Sequence, residues 1–235
     1  GSLGARSAAL REPYADAPNM KGILIHNEHE LKNMVETCQK SGYYAAIHCI
    51  GDKALELAID SIDHARIKYP NTSLRHGIVH CQITDENLLN KIKEMDLLIY
   101  AQPIFLNYDL HIVEDRVGKK LASSSYNFGW LVRNGVHMSM GTDSPVEKFN
   151  PMENIYCAVT RKDLDGYPKD GFYSEQNITV EESIKAYTCE SSYCSYEENI
   201  KGKIKNGFFA DMTVLSDDIY NISHEKLPDV KVEMT

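Results

Sequence analysis

The sequence predicts an α/β fold built on a parallel sheet. Three observations carry this: short continuous apolar runs, an amphipathic helical pattern after each run, and turn residues at the junctions. "YYAAIH" (43–48), "LRHGIVH" (74–80), "LLIYAQP" (97–103) and "VHMSMGTDSP" (136–145) supply the strands and the exit turn of the last. Continuous rather than alternating apolar character is the mark of strands covered by helices on both faces. Four βα units fit between residue 43 and about residue 162.

Each element has a local reason. "HNEHELKNMVETCQKSG" reads as a helix in which Asn27 caps, Glu30 completes a capping box, Leu31, Met34, Val35 and Cys38 form a stripe, and Gly42 ends the run. A second helix runs from about Asp52 to Tyr69 with Ala54, Leu55, Ala58, Ile62 and Ala65 on one side; Asp52 suits its cap. A third begins at Thr84 and turns Leu88, Leu89, Ile92 and Met95 inward. A looser stretch with Gly118 and Ser123–Ser125 leads to a helix around "NFGWLVRNG". Asn150-Pro151 opens the next helix, with Asn as cap and Pro at the first helical position. Thr179 caps the last, "TVEESIKAYTCESSYC". After Gly202, "KGKIKNGFFADMTVL" and "VKVEMT" read as short strands of a separate β region.

Composition narrows the function classes. The chain has 235 residues, 43% of them hydrophobic, and a net charge of -9. That charge argues against nucleic acid as the main partner, because phosphate binding needs a basic surface. No apolar run approaches the ~18 residues of a membrane span, and the N-terminal stretch lacks a signal-peptide core. The six cysteines (38, 49, 81, 157, 189, 194) form no CxxC pair and fit free thiols in a reducing, cytoplasmic compartment.

The chemistry is expected at the C-terminal strand ends. Those ends carry His48, His80, Gln102 and Asp143. Two imidazoles and a carboxylate on separate strands suit a divalent metal with open positions for water and a small-molecule substrate. Zinc is the first choice, although manganese and iron accept the same donors. His76 alternates with His80, so with period 2 it lines the same pocket one layer deeper. Plainer roles exist for each: a hydrogen-bonded structural histidine, an Asx-turn aspartate before Ser144-Pro145, a helix-capping Asp52.

"IHCIGDKA", "RHGIVHCQ", "YAQPIF", "MGTDSPVEKFNPMENIYCAVTR" and "GKIKNGFFADMTVL" together resemble, in order, the later motifs of the metal-dependent amidohydrolases. The nearest branch is amidohydrolase family 3, with its N-substituted formamide deformylase-like enzymes, and "GSLGARSAALREPY" extends the likeness to residue 1. The resemblance implies a (β/α)8 barrel with a small β-sandwich and hydrolysis of amide-type C–N bonds in small molecules. Residues 1–200 would be the C-terminal part of the barrel and 201–235 a sandwich segment. It implies His48 and His80 as metal ligands and Asp143 as metal-side group and general base. Gln102 and Arg161 fall at positions near the substrate. Val79 departs from the family, which often has an acidic residue there.

The family's His-x-His pair occurs nowhere in this sequence. The chain therefore reads as a C-terminal half, short of the family at both ends, and Gly1-Ser2 reads as family sequence rather than a tag remnant. A full barrel needs about 250 residues. A half barrel leaves two open edges, near Ala46 and Met138, and self-association through them is expected. With part of the ligand set missing, this chain alone need not hold the ion. Three readings stand: a metal-dependent amidohydrolase, a non-catalytic fragment or relative, and a small-molecule binder without chemistry.

Overall fold

The computed structural model describes residues 1–71 and 73–235. Four short strands, β1 (Ala46–Cys49), β2 (Gly77–His80), β3 (Leu98–Ala101) and β4 (Met138–Met140), form a parallel sheet in the order β1-β2-β3-β4. In register, Ile47 faces Ile78, and Ile78 faces Ile99. By compactness the chain divides into one unit of residues 1–100, 111–127 and 134–136 and another of residues 101–110, 128–133 and 137–235.

In the first unit, α1 (Glu28–Lys40) starts on the expected capping box: Asn27 accepts from the Glu30 amide and Glu30 accepts from the Asn27 amide, both at 3.0 Å. Its apolar stripe is only partly covered; Val35 and Gln39 are buried while Met34 is 50% exposed. α2 (Asp52–Lys68) buries Leu55, Ala58, Ile62 and Ala65 as expected, plus Leu57 and Ile59. The buried leucines and isoleucines contribute about 1.5–3 kcal/mol each against exposure, enough for this one helix face to anchor the unit. Gly51, not Asp52, is its N-cap. Asp52 instead accepts from the Arg11 amide (3.0 Å) and Arg11 Nε (2.8 Å). Arg11 Nη2 continues to Asp85 (2.5 Å), which caps α3 (Glu86–Glu94) through the Leu88 amide. One guanidinium thus joins two carboxylates that complement the positive N-termini of neighbouring helices. The cap also moves the start of α3 from Thr84 to Asp85; buried Thr84 donates instead to the Ser124 carbonyl.

β1 is the less covered outer strand, with Ala46 and His48 exposed, and departs from the both-faces-buried expectation. β2 keeps Gly77 because a Cβ there would stand 2.4 Å from the Tyr100 ring and 3.0 Å from the Leu98 carbonyl. The stretch after β3 is more helical than expected. A 3₁₀ turn over Pro103–Phe105 runs into α4 (Leu106–Asp109), and α5 (Val113–Ala122) is kinked at Gly118, φ +76.

In the second unit, α6 (Phe128–Arg133) precedes β4, and α7 (Pro151–Thr160) starts where expected, the Asn150 side chain accepting from the Met152 amide. The last predicted helix is three pieces: α8 (Val180–Lys185) on a Thr179/Glu182 capping box, a π turn over Ala186–Glu190, and α9 (Ser191–Cys194). Beyond Gly202, β5 (Val214–Leu215) and β6 (Val232–Met234) pair antiparallel. No helix among the described residues is long and apolar enough to cross a membrane.

Candidate functional site

In the first unit β1 and β2 bring His48 and His80 together. Their rings stand edge to face, centroids 4.5 Å apart at 81°. His48 is exposed and His80 is 4% exposed. His48 Nε2 also lies 3.0 Å from the Gly1 carbonyl oxygen and 3.1 Å from the Gly1 amino nitrogen.

The backbone under His80 is unusual. His80 has φ +74, and the Cys81 amide donates to the Val79 carbonyl across it at 3.1 Å. A hydrogen bond spanning a single residue at that φ is the strained form of the γ-turn. Cys81 follows at φ +53 and its amide also reaches the Cys49 carbonyl at 3.0 Å. Holding two non-glycine residues in the left-handed region costs about 1–3 kcal/mol apiece, and such strain gathers where a side chain must be aimed. Immediately past the imidazoles sit two buried thiols; burial pushes Cys81 up to about 12 and Cys49 higher still. Every cysteine of the chain is free, and these two are protonated, inert packing groups.

His76 is held by partners of its own. It is fully buried, Nδ1 accepting from the Ala45 amide (2.9 Å) and Nε2 meeting Gln39 Oε1 (2.6 Å). The acceptor role of Nδ1 puts the proton on Nε2, so the ring is neutral and both nitrogens are engaged. Burial first, and the positive field of Arg66 second, hold its pKa down to about 4. Gln39 in turn donates to the Tyr69 carbonyl (2.6 Å), tying α1 to the end of α2. The backbone ladder already runs through His76, whose carbonyl accepts from the Leu98 amide at 3.0 Å, and it is His80 that leaves the extended conformation, at φ +74.

The second unit holds the other candidates. Gln102 is buried at the exit of β3 and its carbonyl accepts from the Phe105 amide at 3.0 Å. Asp143 is exposed just past β4, at φ +57, with its carbonyl accepting from the Val146 amide. The Gly141 amide donates to the Ala101 carbonyl at 3.0 Å, so the two exits lie side by side. Arg161 is the largest fully buried side chain. It ends α7 at φ +54, donates from Nε to the Phe172 carbonyl (2.5 Å), and lies 5.7 Å from the Phe128 ring and 6.0 Å from that of Phe172. The side chain is thus an interior group between α7 and the Phe172 backbone.

Sequence reasoning passed over Asn154, in α7. It is fully buried, accepts from the Ile104 amide (2.6 Å), and donates to the Gly141 carbonyl (3.0 Å) and the Tyr187 hydroxyl (2.5 Å). The available signal was one amide inside the otherwise apolar run "NIYCAV".

In donor type, His48 and His80 suit a borderline divalent cation, and their rings lie together. Among the described residues no three His, Cys, Asp or Glu side chains are gathered so as to hold a metal ion.

Residues 1–235 match the amidohydrolase family model. The chain is 32% identical over its whole length to the putative amidohydrolase YtcJ of Bacillus subtilis, of which it covers 44%. It is 21% identical to the N-substituted formamide deformylase of Arthrobacter pascens, over 97% of the chain and 42% of that protein. Among solved structures it resembles an uncharacterized metal-dependent hydrolase from Pyrococcus horikoshii, with a TM-score of 0.81, 30% identity, and coverage of 95% of this chain and 44% of that one. A Pyrococcus furiosus metal-dependent hydrolase matches with a TM-score of 0.76 and 32% identity, over 89% of this chain and 41% of that one. The chain thus spans less than half the length of these relatives. With every residue inside the match, the chain belongs to amidohydrolase family 3.

Proposed function

We propose that this chain carries part of the active site of a metal-dependent hydrolase acting on amide-type C–N bonds of a small, non-peptide molecule. The observation that carries the reading is the His48–His80 pair, two imidazoles 4.5 Å apart with one mounted on a strained turn. The names of the relatives, an amidohydrolase, a formamide deformylase and two metal-dependent hydrolases, support it. In this reading the four strands are consecutive strands of a (β/α)8 barrel. His48, His80 and Asp143 would hold a divalent cation, zinc first. When bound, such an ion polarises the substrate carbonyl and lowers the pKa of water.

The remaining work falls to the chain. The Asp143 carboxylate accepts a proton from the attacking water and returns it to the leaving nitrogen, the task of a general base and then acid. Its carboxylate is exposed, so a water reaches it, and the left-handed backbone fixes its departure from β4. Gln102, with one acceptor and two donors, orients a neutral amide or carbonyl.

The test is metal content after dialysis against zinc, with isothermal titration, for wild type, His48→Ala and Asp143→Ala. One zinc per wild-type chain, lost in both variants, is the expected result. Zinc retained by both variants, or never held by wild type, would overturn it. A second reading, a non-catalytic relative that binds a small molecule without metal, is favoured by the lack of a three-donor group among the described residues. A metal-free wild type is its expected outcome in the same experiment.

A further inference from the structure

The second unit contains a side chain whose geometry bears on how Asp143 is held. Among the described residues, the one side-chain hydrogen bond to the turn Gly141-Thr142-Asp143 comes from Asn154, donated to the Gly141 carbonyl at 3.0 Å. The same amide accepts from the Ile104 backbone at 2.6 Å, two residues beyond Gln102. Its second N–H goes to the Tyr187 hydroxyl at 2.5 Å, and Tyr187 lies in the π turn after α8. A primary amide has one acceptor oxygen and two N–H groups, and here all are engaged. The amide cannot be flipped, because the Ile104 N–H requires the oxygen and the Gly141 carbonyl requires the nitrogen.

We propose that Asn154 is the positioning residue of the Asp143 turn, its amide locking the exits of β3 and β4 together, with Tyr187 fixing that amide's orientation. The proposal rests on the reading of Asp143 given above and deepens it. Asp143 itself is exposed and stands on a backbone conformation that a non-glycine residue adopts only when its surroundings hold it there. The hold comes from three contacts: Gly141 N–H to Ala101, Asn154 to the Gly141 carbonyl, and Val146 N–H to the Asp143 carbonyl. Only the middle one is made by a side chain. Asn154 is fully buried, so water does not replace it when it is removed, and the Ile104 N–H and Gly141 carbonyl lose their partner together. Leu keeps the branching of Asn at Cγ but offers neither donor nor acceptor. π turns are a known way of re-aiming one side chain within a helix, and here the turn carries Tyr187 to Asn154.

The experiment is amide hydrogen exchange, residue by residue, on this chain as wild type, Asn154→Leu and Tyr187→Phe, with zinc titration of each. The reporters are the amides of Gly141, Val146 and Ile104, with β2 and α2 as internal references. In Asn154→Leu the three reporters are expected to exchange at least about tenfold faster while the references stay unchanged. In Tyr187→Phe, which removes one of the three bonds, the rise is several-fold. Zinc affinity falls by about 10- to 100-fold in Asn154→Leu, the scale for losing a group that orients a ligand.

Unchanged reporters in either variant, or a rise spread equally over reporters and references, overturns the proposal. If Asn154→Leu does not fold, the Tyr187→Phe exchange decides. If wild type binds no zinc, the metal reading fails, while the exchange result still decides whether Asn154 positions the turn.

Discussion

His76 at the entry of β2 and His80 at its exit are the same residue four positions apart, yet the fold gives them opposite surroundings. His76 lies fully buried with a backbone amide on one nitrogen and a glutamine oxygen at the other. His80 stands on a strained turn with its ring against a second imidazole. The difference teaches that strand-end position alone does not make a histidine chemical. What matters is which neighbours the fold sets around the ring: a backbone amide and a glutamine oxygen for His76, a second imidazole for His80.

That contrast can be broken in three places. The largest expected effect is His76→Ala, which leaves the Ala45 N–H and Gln39 oxygen buried without the ring and opens a cavity. A loss of about 3 kcal/mol in urea denaturation is expected, and a loss below about 1 kcal/mol would show that water substitutes for the imidazole. The next is pH. His76 is held at about 4 in the folded chain against about 6.5 unfolded. Between those values the unfolded chain binds more protons, so the contribution is fully present above about pH 6.5 and is lost as pH falls towards 4. Over the whole window it amounts to about 3 kcal/mol and is missing from the pH profile of His76→Ala. Equal slopes for wild type and variant would remove His76 from the account. The smallest concerns the turn. His80→Gly and His80→Ala both delete the ring, but only glycine relaxes at φ +74, so the glycine variant is expected to be more stable by about 1 kcal/mol. Equal stability would mean the turn stores no strain.

Much of the local structure was legible because its causes lie within a few residues. The capping box at Asn27, the Thr179 cap and the Asn150-Pro151 start are read from spacings of three or fewer. The helices between Pro103 and Ala122 were hidden because Gly118 interrupts the periodicity and the pieces are short. The burial of Arg161 beside the Phe128 and Phe172 rings was not legible, because one of those rings lies 33 positions upstream.

By itself the sequence determined the strands, the helices with strong caps, and the placement of His48, His80, Gln102 and Asp143 where strands end. The tertiary structure alone decided that His76 is a packing group, that Arg11 joins two helix N-termini, and that Asn154 holds two strand exits. Periodicity and capping are local properties of the chain. The state of a buried polar group depends on partners as far as 31 to 74 residues away, which only packing brings within reach.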